Sequence, residues 1–382
     1  MQEAISGHPF VAGNRVTLLV NRPAAYNAMF KVIRDAKKSV NIETYTLSND
    51  RAGYAFANLL IEKAAEGVHV NLIYDSIGSI CSSPAFFQRL TDAGVKVLPF
   101  NPITPLSGLP LRGGCSGDHR DHRKLIVVDD SVAFVGSANI SDVCGTTGGV
   151  FPGTTGDRLP WRDTDVEIEG PVVPIFDAGI REHRPDIADN SHLQPPKPHG
   201  NDLVMAVAST WGKTKRDNYF LYLNAINSAR RSIALTCSYF IPDKHTLDAL
   251  IAAARRGVDV KIILPHKSDS TLALYGGRNY YGRLLKAGVK LYERRGVILH
   301  AKTGVIDGVW STVGSDNMDY WSILRNNELN AVILSRSFAK KMETLFEYDR
   351  KHSDRITLEK WEHRSALERL LELFTYPMTY WL

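Results

Sequence analysis

Stretches in which apolar residues recur every three or four positions alternate along the chain with short runs of alternating β-branched and polar residues, the periodicities of helix and strand. Met29 to Ile42 reads as a helix followed by a strand, and Tyr222 to Leu235 repeats it. Leu60 to Asp75, with Glu66-Gly-Val-His-Val-Asn-Leu-Ile, is echoed from Leu250 onward by Arg256-Gly-Val-Asp-Val-Lys-Ile-Ile. A third echo pairs Arg89-Leu-Thr-Asp-Ala-Gly-Val-Lys-Val with Arg283-Leu-Leu-Lys-Ala-Gly-Val-Lys-Leu. In the last two pairs a glycine ends the helix before the strand begins. Three collinear echoes at about half the chain length predict two copies of one α/β unit, each a parallel or mixed sheet covered by helices. The copies are expected to pack about a pseudo-twofold axis. The boundaries read as 1–190 for the first repeat, 191–203 for a proline-rich connector containing Gln194-Pro-Pro-Lys-Pro-His-Gly, 204–355 for the second repeat and 356–382 for a C-terminal helix and aromatic tail.

Composition narrows the class. The 382 residues are 44% apolar and 23% charged, an ordinary globular balance that excludes collagen-like and disordered chains. Cys81, Cys115, Cys144 and Cys237 are far apart with no CxxC pair, so neither a structural zinc site nor a disulfide framework is expected, and a reducing, cytoplasmic setting follows. The opening MQEAISGHPF lacks a basic region followed by an apolar run, and no 18-residue apolar stretch occurs, which predicts neither a secretion signal nor a membrane span. A net charge of +5 favours anionic partners without separating phospholipid from nucleic acid.

The repeat also carries the chemistry. His122, Lys124 and Asp129 form His-x-Lys-x4-Asp and are followed by Gly136, Ser137 and Asn139 as Gly-Ser-x-Asn; His300, Lys302, Asp307, Gly314, Ser315 and Asn317 reproduce both at the same spacing. One such match would be weak, whereas two in register are strong. On a strand, residues i and i+2 share a face, so each histidine and its lysine are expected to project into one cleft. Asp129 and Asp307 end apolar runs and read as closing turns more than touching substrate. Two lysines, two asparagines and two serines around two histidines suit a tetrahedral oxyanion, with Ser137, Asn139, Ser315 and Asn317 as phosphate-binding donors.

These paired motifs resemble those of the phospholipase D superfamily over nearly the whole chain, and most of all its bacterial cardiolipin synthase branch. The strings that carry the closer likeness include Gly13-Asn-Arg-Val-Thr-Leu-Leu, Tyr74-Asp-Ser-Ile-Gly-Ser, Pro160-Trp-Arg-Asp-Thr, Tyr239-Phe-Ile-Pro-Asp and Asn317-Met-Asp-Tyr-Trp-Ser with Glu328. Long members begin with two transmembrane helices that this sequence lacks, so the likeness is to the short form.

The resemblance implies a fold of two pseudo-twofold-related α/β sandwich repeats with the active site between them. It also implies a two-step exchange at a phosphodiester without metal or other cofactor. One motif histidine attacks phosphorus while the other protonates the departing alcohol; the resulting phosphohistidine is then resolved by an incoming alcohol. The resemblance favours His122 for the attack. By the same analogy Glu328 supports His122 and Asp163 supports His300, each acid serving the histidine of the other half, while Asp165 stands where relatives often carry histidine. The implied activity is that of a phosphatidyltransferase joining two phosphatidylglycerol molecules into cardiolipin and glycerol. Phosphatidylethanolamine is a second candidate donor, and a monomer suffices. The enzyme would work in the cytoplasm, peripherally on the inner membrane. Hydrolysis to phosphatidic acid is the first alternative. A nuclease of the same superfamily is another, and nucleic acid is not the expected partner because no basic stripe with interleaved aromatics occurs. An inactive lipid-binding module is disfavoured by the intact His/Lys pairs.

Several other features have plainer readings. His69, His183 and His352 read as surface or packing residues, and His119 as a rim or loop residue. Gly145-Thr-Thr-Gly-Gly-Val-Phe-Pro-Gly-Thr-Thr-Gly lacks a phosphate-loop signature and reads as a lid or insertion. Leu367, Leu370, Leu371 and Phe374 are spaced as one helix face. That face either packs on the body, the commoner arrangement, or meets a membrane interface.

Overall fold

The predicted alternation of helix and strand is realised because every strand places apolar side chains where a helix covers them. The computed structural model describes residues 2–3, 7–102, 119–142, 159–183, 196–210 and 216–377. The first half runs β1 (Val11–Val20), α1 (Asn21–Asp35), β2 (Ser39–Thr44), α2 (Arg51–Ala65), β3 (His69–Asp75), α3 (Pro84–Asp92), β4 (Lys96–Phe100), β5 (Lys124–Val128), β6 (Val132–Gly136), β7 (Trp161–Arg162), β8 (Thr164–Glu169) and α4 (Val173–His183). The second runs β9 (Asp202–Ser209), α5 (Asp217–Ser228), β10 (Ser232–Thr236), α6 (Lys244–Arg255), β11 (Asp259–Pro265), α7 (Thr271–Arg278), α8 (Tyr281–Lys286), β12 (Lys290–Arg294), β13 (Ile298–Leu299), β14 (Thr303–Ile306), β15 (Trp310–Gly314), α9 (Tyr320–Leu324), β16 (Glu328–Leu334), α10 (Arg336–Lys351), β17 (Ser353–Ile356), α11 (Leu358–Glu362) and α12 (Ala366–Thr375). Gly67 and Gly257, the predicted helix stops, have φ of +86° and +89°, a left-handed turn that a side chain would oppose.

The halves have the same strand order. Read outward from the centre, the first is β1-β8-β6-β5-β2-β3-β4 and the second is β9-β16-β15-β14-β10-β11-β12, with β17 added at the far edge. They are joined at β1 and β9, which pair antiparallel with a bulge between Val11↔Val204 and Asn14↔Asp202. The two units therefore form one mixed fifteen-stranded sheet.

Alternation along the strands divides the core. Ile126 and Val128 of β5 face a cluster confined to the first half, built with Phe56 and Leu60 of α2, and Met205 and Val207 of β9 face the equivalent cluster of the second half. Leu125, Val127, Val204 and Ala206 point to the opposite face, where Phe176 and Ile180 of α4 and Phe338 and Met342 of α10 cover strands of both halves. That shared layer holds the halves in one register and so fixes the position of anything built between them.

The C-terminal helix departs from the commoner expectation. α12 docks through the side on which Glu372 and Thr375 are buried and Leu371 is half-buried, so Leu371 leaves the predicted face, while Leu367, Leu370, Phe374 and, in its place, Leu373 stay exposed. Residues 378–382 of the tail, the glycine-rich stretch and residues 191–195 of the connector lie outside the described residues. No helix among the described residues is long and apolar enough to cross a membrane.

Candidate active site

Each motif aspartate does its work at the outer end of the motif. β5 and β14 are wholly buried strands, and Asp129 and Asp307 follow them with φ of +52° and +54°. Asp129 accepts the backbone N–H groups of Lys37, Lys38 and Ser39, and Asp307 those of Arg230, Arg231 and Ser232. They hold the turn between helix and strand of a neighbouring connection, α1–β2 or α5–β10, where the sequence suggests the turn after their own strand, and they do not border the central cavity.

The histidines lie just before those strands, where backbone bonds stitch the halves together. The His300 N–H donates to the carbonyl of Arg162 at 3.0 Å, beside the β7–β13 pairing. The His122 N–H donates to the carbonyl of Asn327 at 2.9 Å, beside the bridge between Asp121 and Asn327. Residue 162 precedes Asp163 and residue 327 precedes Glu328, so each stitch sets a histidine opposite the acid of the other half. His300 Nδ1 lies 2.8 Å from Asp163 Oδ1, and His122 Nδ1 is 3.1 Å from both oxygens of Glu328. A carboxylate only accepts, so each ring carries its proton on Nδ1 and leaves Nε2 for the cavity. That cavity, of about 450 Å³, is lined by both histidines, Asn139, Asn317, Arg120 and Asp319, with Tyr45, Trp161, Tyr239 and Trp321 as aromatic walls. Tyr45 stands edge-on to His122 and Trp161 is tilted against His300.

The serines are placed differently from expectation. Ser137 and Ser315 are fully buried and do not border the cavity. Ser137 Oγ donates to Asp163 at 2.9 Å, and Ser315 Oγ to Glu328 at 2.5 Å. A buried hydroxyl is drawn to the nearest full charge, here the carboxylate behind the ring and not an oxyanion in front of it. The asparagines do reach the cavity. Asn317 Oδ1 accepts from Ser238 at 2.6 Å, which leaves its amide N–H groups for the cavity.

The lysines are likewise set back. Lys124 Nζ donates to the carbonyl of His122 at 2.7 Å and Lys302 Nζ to that of His300 at 2.6 Å, and both side chains are buried outside the cavity lining. Burial, reinforced by Lys302, pushes Lys124 down to about 7; burial lowers Lys302 to about 8 against the pull of Asp163 and Glu328. Two closely spaced buried ammonium groups favour the arrival of an anion.

The two acids differ in what surrounds them. Asp163 also receives Arg22 Nε at 2.9 Å, in an ion pair buried on both sides. Burial alone would raise its pKa, but Arg22 and His300 hold it well below the carboxylate range. Besides His122, Glu328 accepts from Ser322 Oγ at 2.8 Å and from Ser315, and the buried Lys124 pulls on its charge; burial opposes, and His122 with Lys124 outweighs, so its pKa is also lowered. Burial pushes both histidines down, His300 to about 3, with Lys302 adding to the effect. Arg22 went unnoticed in the sequence because nothing in its spacing relates it to a motif.

Asp165 is remote from the cavity. Its Oδ1 accepts the N–H of Ala138 at 3.0 Å, as Asn330 Oδ1 accepts that of Asp316 at 3.3 Å in the other half. A Cβ on Gly136 would sit 2.1 Å from Asp165 Oδ1 and one on Gly314 1.8 Å from Asn330 Oδ1, which explains the glycine of each Gly-Ser-x-Asn. Burial and the neighbouring Asp163 push Asp165 up to about 7. A raised carboxyl pKa means that the folded state binds the extra proton, so stability is lost as pH rises from about 4, the unfolded value, to about 7. Asp165→Asn, which copies Asn330, is therefore expected to raise Tm by a few degrees at pH 8 and leave it unchanged near pH 4. Thermal melts of both chains across pH 4 to 8 check this; a gain that does not grow with pH would contradict it.

His119 is a loop residue, with Nδ1 on the Arg325 carbonyl at 3.1 Å and its ring edge-on to Phe100.

The comparisons with known proteins agree with this geometry. The family model described as "Cardiolipin synthase, PLD-like domain" matches twice, over residues 29–143 and 222–350. The chain is 31% identical over 391 residues to a cardiolipin synthase of Halalkalibacterium halodurans, covering 97% of this chain and 75% of that one. It is 32% identical over 384 residues to a cardiolipin synthase of Geobacillus thermodenitrificans, covering 96% and 72%. Against cardiolipin synthase A of Pseudomonas putida the identity is 31% over 371 residues, covering 95% and 74%. Among solved structures, a phosphatidylserine synthase of Haemophilus influenzae has the same fold, with a TM-score of 0.70 at 14% identity over 100% of this chain and 99% of that one.

Proposed function

Because this chain belongs to the cardiolipin synthase family, with its phospholipase D-like domain in two copies, we propose that it is a phosphatidyltransferase forming cardiolipin and glycerol from two phosphatidylglycerol molecules. The observation that carries this reading is the pair of histidines in one cavity, each with Nδ1 on a carboxylate of the opposite half.

The first phosphatidylglycerol binds with its phosphodiester between the two Nε2 atoms. The amide of Asn317 binds a phosphoryl oxygen, and the positive field of the set-back Lys302 and Lys124 favours the phosphodiester and the charge building up in the five-coordinate transition state. One histidine attacks phosphorus through neutral Nε2, and the bond to the glycerol oxygen breaks as the other, which takes up a second proton on Nε2 as the anionic phosphodiester binds, gives that oxygen this proton. Asp163 or Glu328 offsets the positive charge on the attacking ring, as the carboxylate of a Ser-His-Asp triad does for its imidazolium. The proton donor, now neutral, then takes the proton of a terminal hydroxyl on the second phosphatidylglycerol. That oxygen displaces the phosphohistidine, which restores both rings. The four aromatic walls keep water scarce at the intermediate, and this favours transfer to a lipid alcohol over hydrolysis. The enzyme acts on lipid at the cytoplasmic face of the inner membrane as a peripheral protein, one chain supplying the whole site.

Incubation of the purified chain with phosphatidylglycerol vesicles in excess EDTA, followed by mass spectrometry of lipids and glycerol, tests this. Cardiolipin and glycerol are expected in equal amounts. Phosphatidic acid alone would make the chain a hydrolase, and unchanged lipid would overturn the reading.

A further inference from the structure

α12 is amphipathic in the reverse sense of an ordinary surface helix. Its polar side faces the body: Arg364 donates to both oxygens of Glu372 at 3.1 and 2.7 Å, and Asn279 Nδ2 donates to the Glu372 carbonyl at 3.0 Å. Ser365 and Glu368 form a reciprocal capping box that starts the helix. These bonds fix its rotation and turn Leu367, Leu370, Leu373 and Phe374 outward as one stripe. With Tyr376 they are between 56 and 74% exposed. Five of the ten large hydrophobic residues exposed among the described residues thus fall within ten positions. A stripe of this kind marks a surface that is covered in use.

The occupant is indicated by where the stripe stands. A second cavity, of about 670 Å³, adjoins the central one: Trp161 and Asp269 border both. From there it runs between Leu274 and Ile298 to Glu368 on α12, so that the groove ends at the foot of the exposed stripe. Lys267 and His266 border the same groove with Asp269, and Arg278, also at its border, is held by Glu293 and Glu368. A path walled in part by Leu159, Trp161, Leu274 and Ile298, with Lys267 at its border, the histidines at one end and an apolar helix face at the other matches a phospholipid: headgroup phosphate inward, acyl chains toward α12.

We infer that α12 is the membrane-contacting element of the protein, lying in the plane of an anionic phospholipid surface with Leu367, Leu370, Leu373 and Phe374 in the acyl boundary, and that the adjoining groove conducts lipid between that surface and the histidines. This rests on the proposed phospholipid substrate and adds the device that reaches it. A single short helix gives reversible contact only, which suits an enzyme that must collect two lipids and release a larger one.

The test compares the full chain with Leu370→Glu/Phe374→Glu, both exposed positions outside the cavities, and with Leu370→Trp/Phe374→Trp as a conservative control. Flotation with vesicles of phosphatidylglycerol and phosphatidylcholine is measured alongside turnover of two substrates, vesicle phosphatidylglycerol and dihexanoyl phosphatidylglycerol kept below its micelle concentration. The glutamate pair is expected to lose at least tenfold in flotation and in vesicle turnover, to keep the rate on monomeric lipid within twofold, and to keep its Tm; the tryptophan pair is expected to float as well as the parent. Flotation of the glutamate pair equal to that of the parent, or no flotation of the parent, would overturn the inference. So would a parent dimer that the glutamate pair makes monomeric without loss of flotation, since the stripe would then cover a second copy. A parent that floats through α12 yet converts neither substrate would leave this inference standing and remove the proposed reaction instead.

Discussion

Replacing His122 or His300 with alanine is expected to lower cardiolipin formation by about 10³-fold or more, because each removes either the attacking nitrogen or the only group placed to move the leaving proton. The structure allows the two losses to be told apart. Release of glycerol needs a proton, whereas release of p-nitrophenolate does not. With phosphatidyl-p-nitrophenol as donor, the variant lacking the acid keeps a burst of p-nitrophenolate, and the variant lacking the nucleophile shows none. Stopped-flow absorbance on the two variants therefore assigns the roles. Equal loss of the burst in both would mean that the histidines do not divide the work in this way. Folding is not at issue in the comparison, since Glu328 keeps Ser315 and Ser322 when His122 is gone, and Asp163 keeps Ser137 and Arg22 when His300 is gone.

The second large effect separates the two acids. Glu328→Gln and Asp163→Asn each abolish the charge that fixes a ring's tautomer and offsets its positive state, and each is expected to reduce kcat by about 10² to 10⁴-fold. Their effects on stability diverge. Asp163 is the partner of buried Arg22, and removing one member of a buried ion pair leaves a bare charge that typically costs roughly 3–5 kcal/mol. Among the described residues no guanidinium is bonded to Glu328, and Lys124 and Lys302 feel its charge only through space, so Glu328→Gln is expected to lose less stability than Asp163→Asn. The double variant Arg22→Met/Asp163→Asn removes both charges, and it is expected to recover most of the stability lost in Asp163→Asn and none of its activity. Thermal melts and kcat on the three chains decide it. Recovery of activity in the double variant would mean that Asp163 acts through fold integrity alone.

The parts legible in the sequence are those with a period or a repeat. Alternating patterns gave the strands, left-handed glycines such as Gly67 and Gly257 gave the helix ends, and the duplicated motif gave His122 and His300. Asp163 and Glu328 followed from aligning the repeats with the resemblance as guide. What could not be read depends on what lies across space from a residue. The period of a strand puts Lys124 on the face of His122 and the motif puts Ser137 near the same cleft, but neither says that the hydroxyl would meet a carboxylate or that the ammonium would turn back to its own histidine's carbonyl. Arg22 precedes its partner by 141 residues, with no spacing rule to link them. α12 shows the same limit: the sequence puts Leu371 on the apolar face with Leu367, Leu370 and Phe374, but the bonds from Arg364 and Asn279 to Glu372 turn Leu371 toward the body and Leu373 outward.

The crossed pairing of histidine and acid also governs when the protein can act. His122 waits for an acid 206 residues further along the chain, and His300 draws on one made 137 residues earlier. While the chain is still emerging from the ribosome, the first half has a histidine and a lysine but no Glu328 to set the ring. A nascent or prematurely ended chain is thus chemically silent, however well its first half folds. Within one molecule, the two crossed pairs come together only once the chain has been made past Glu328.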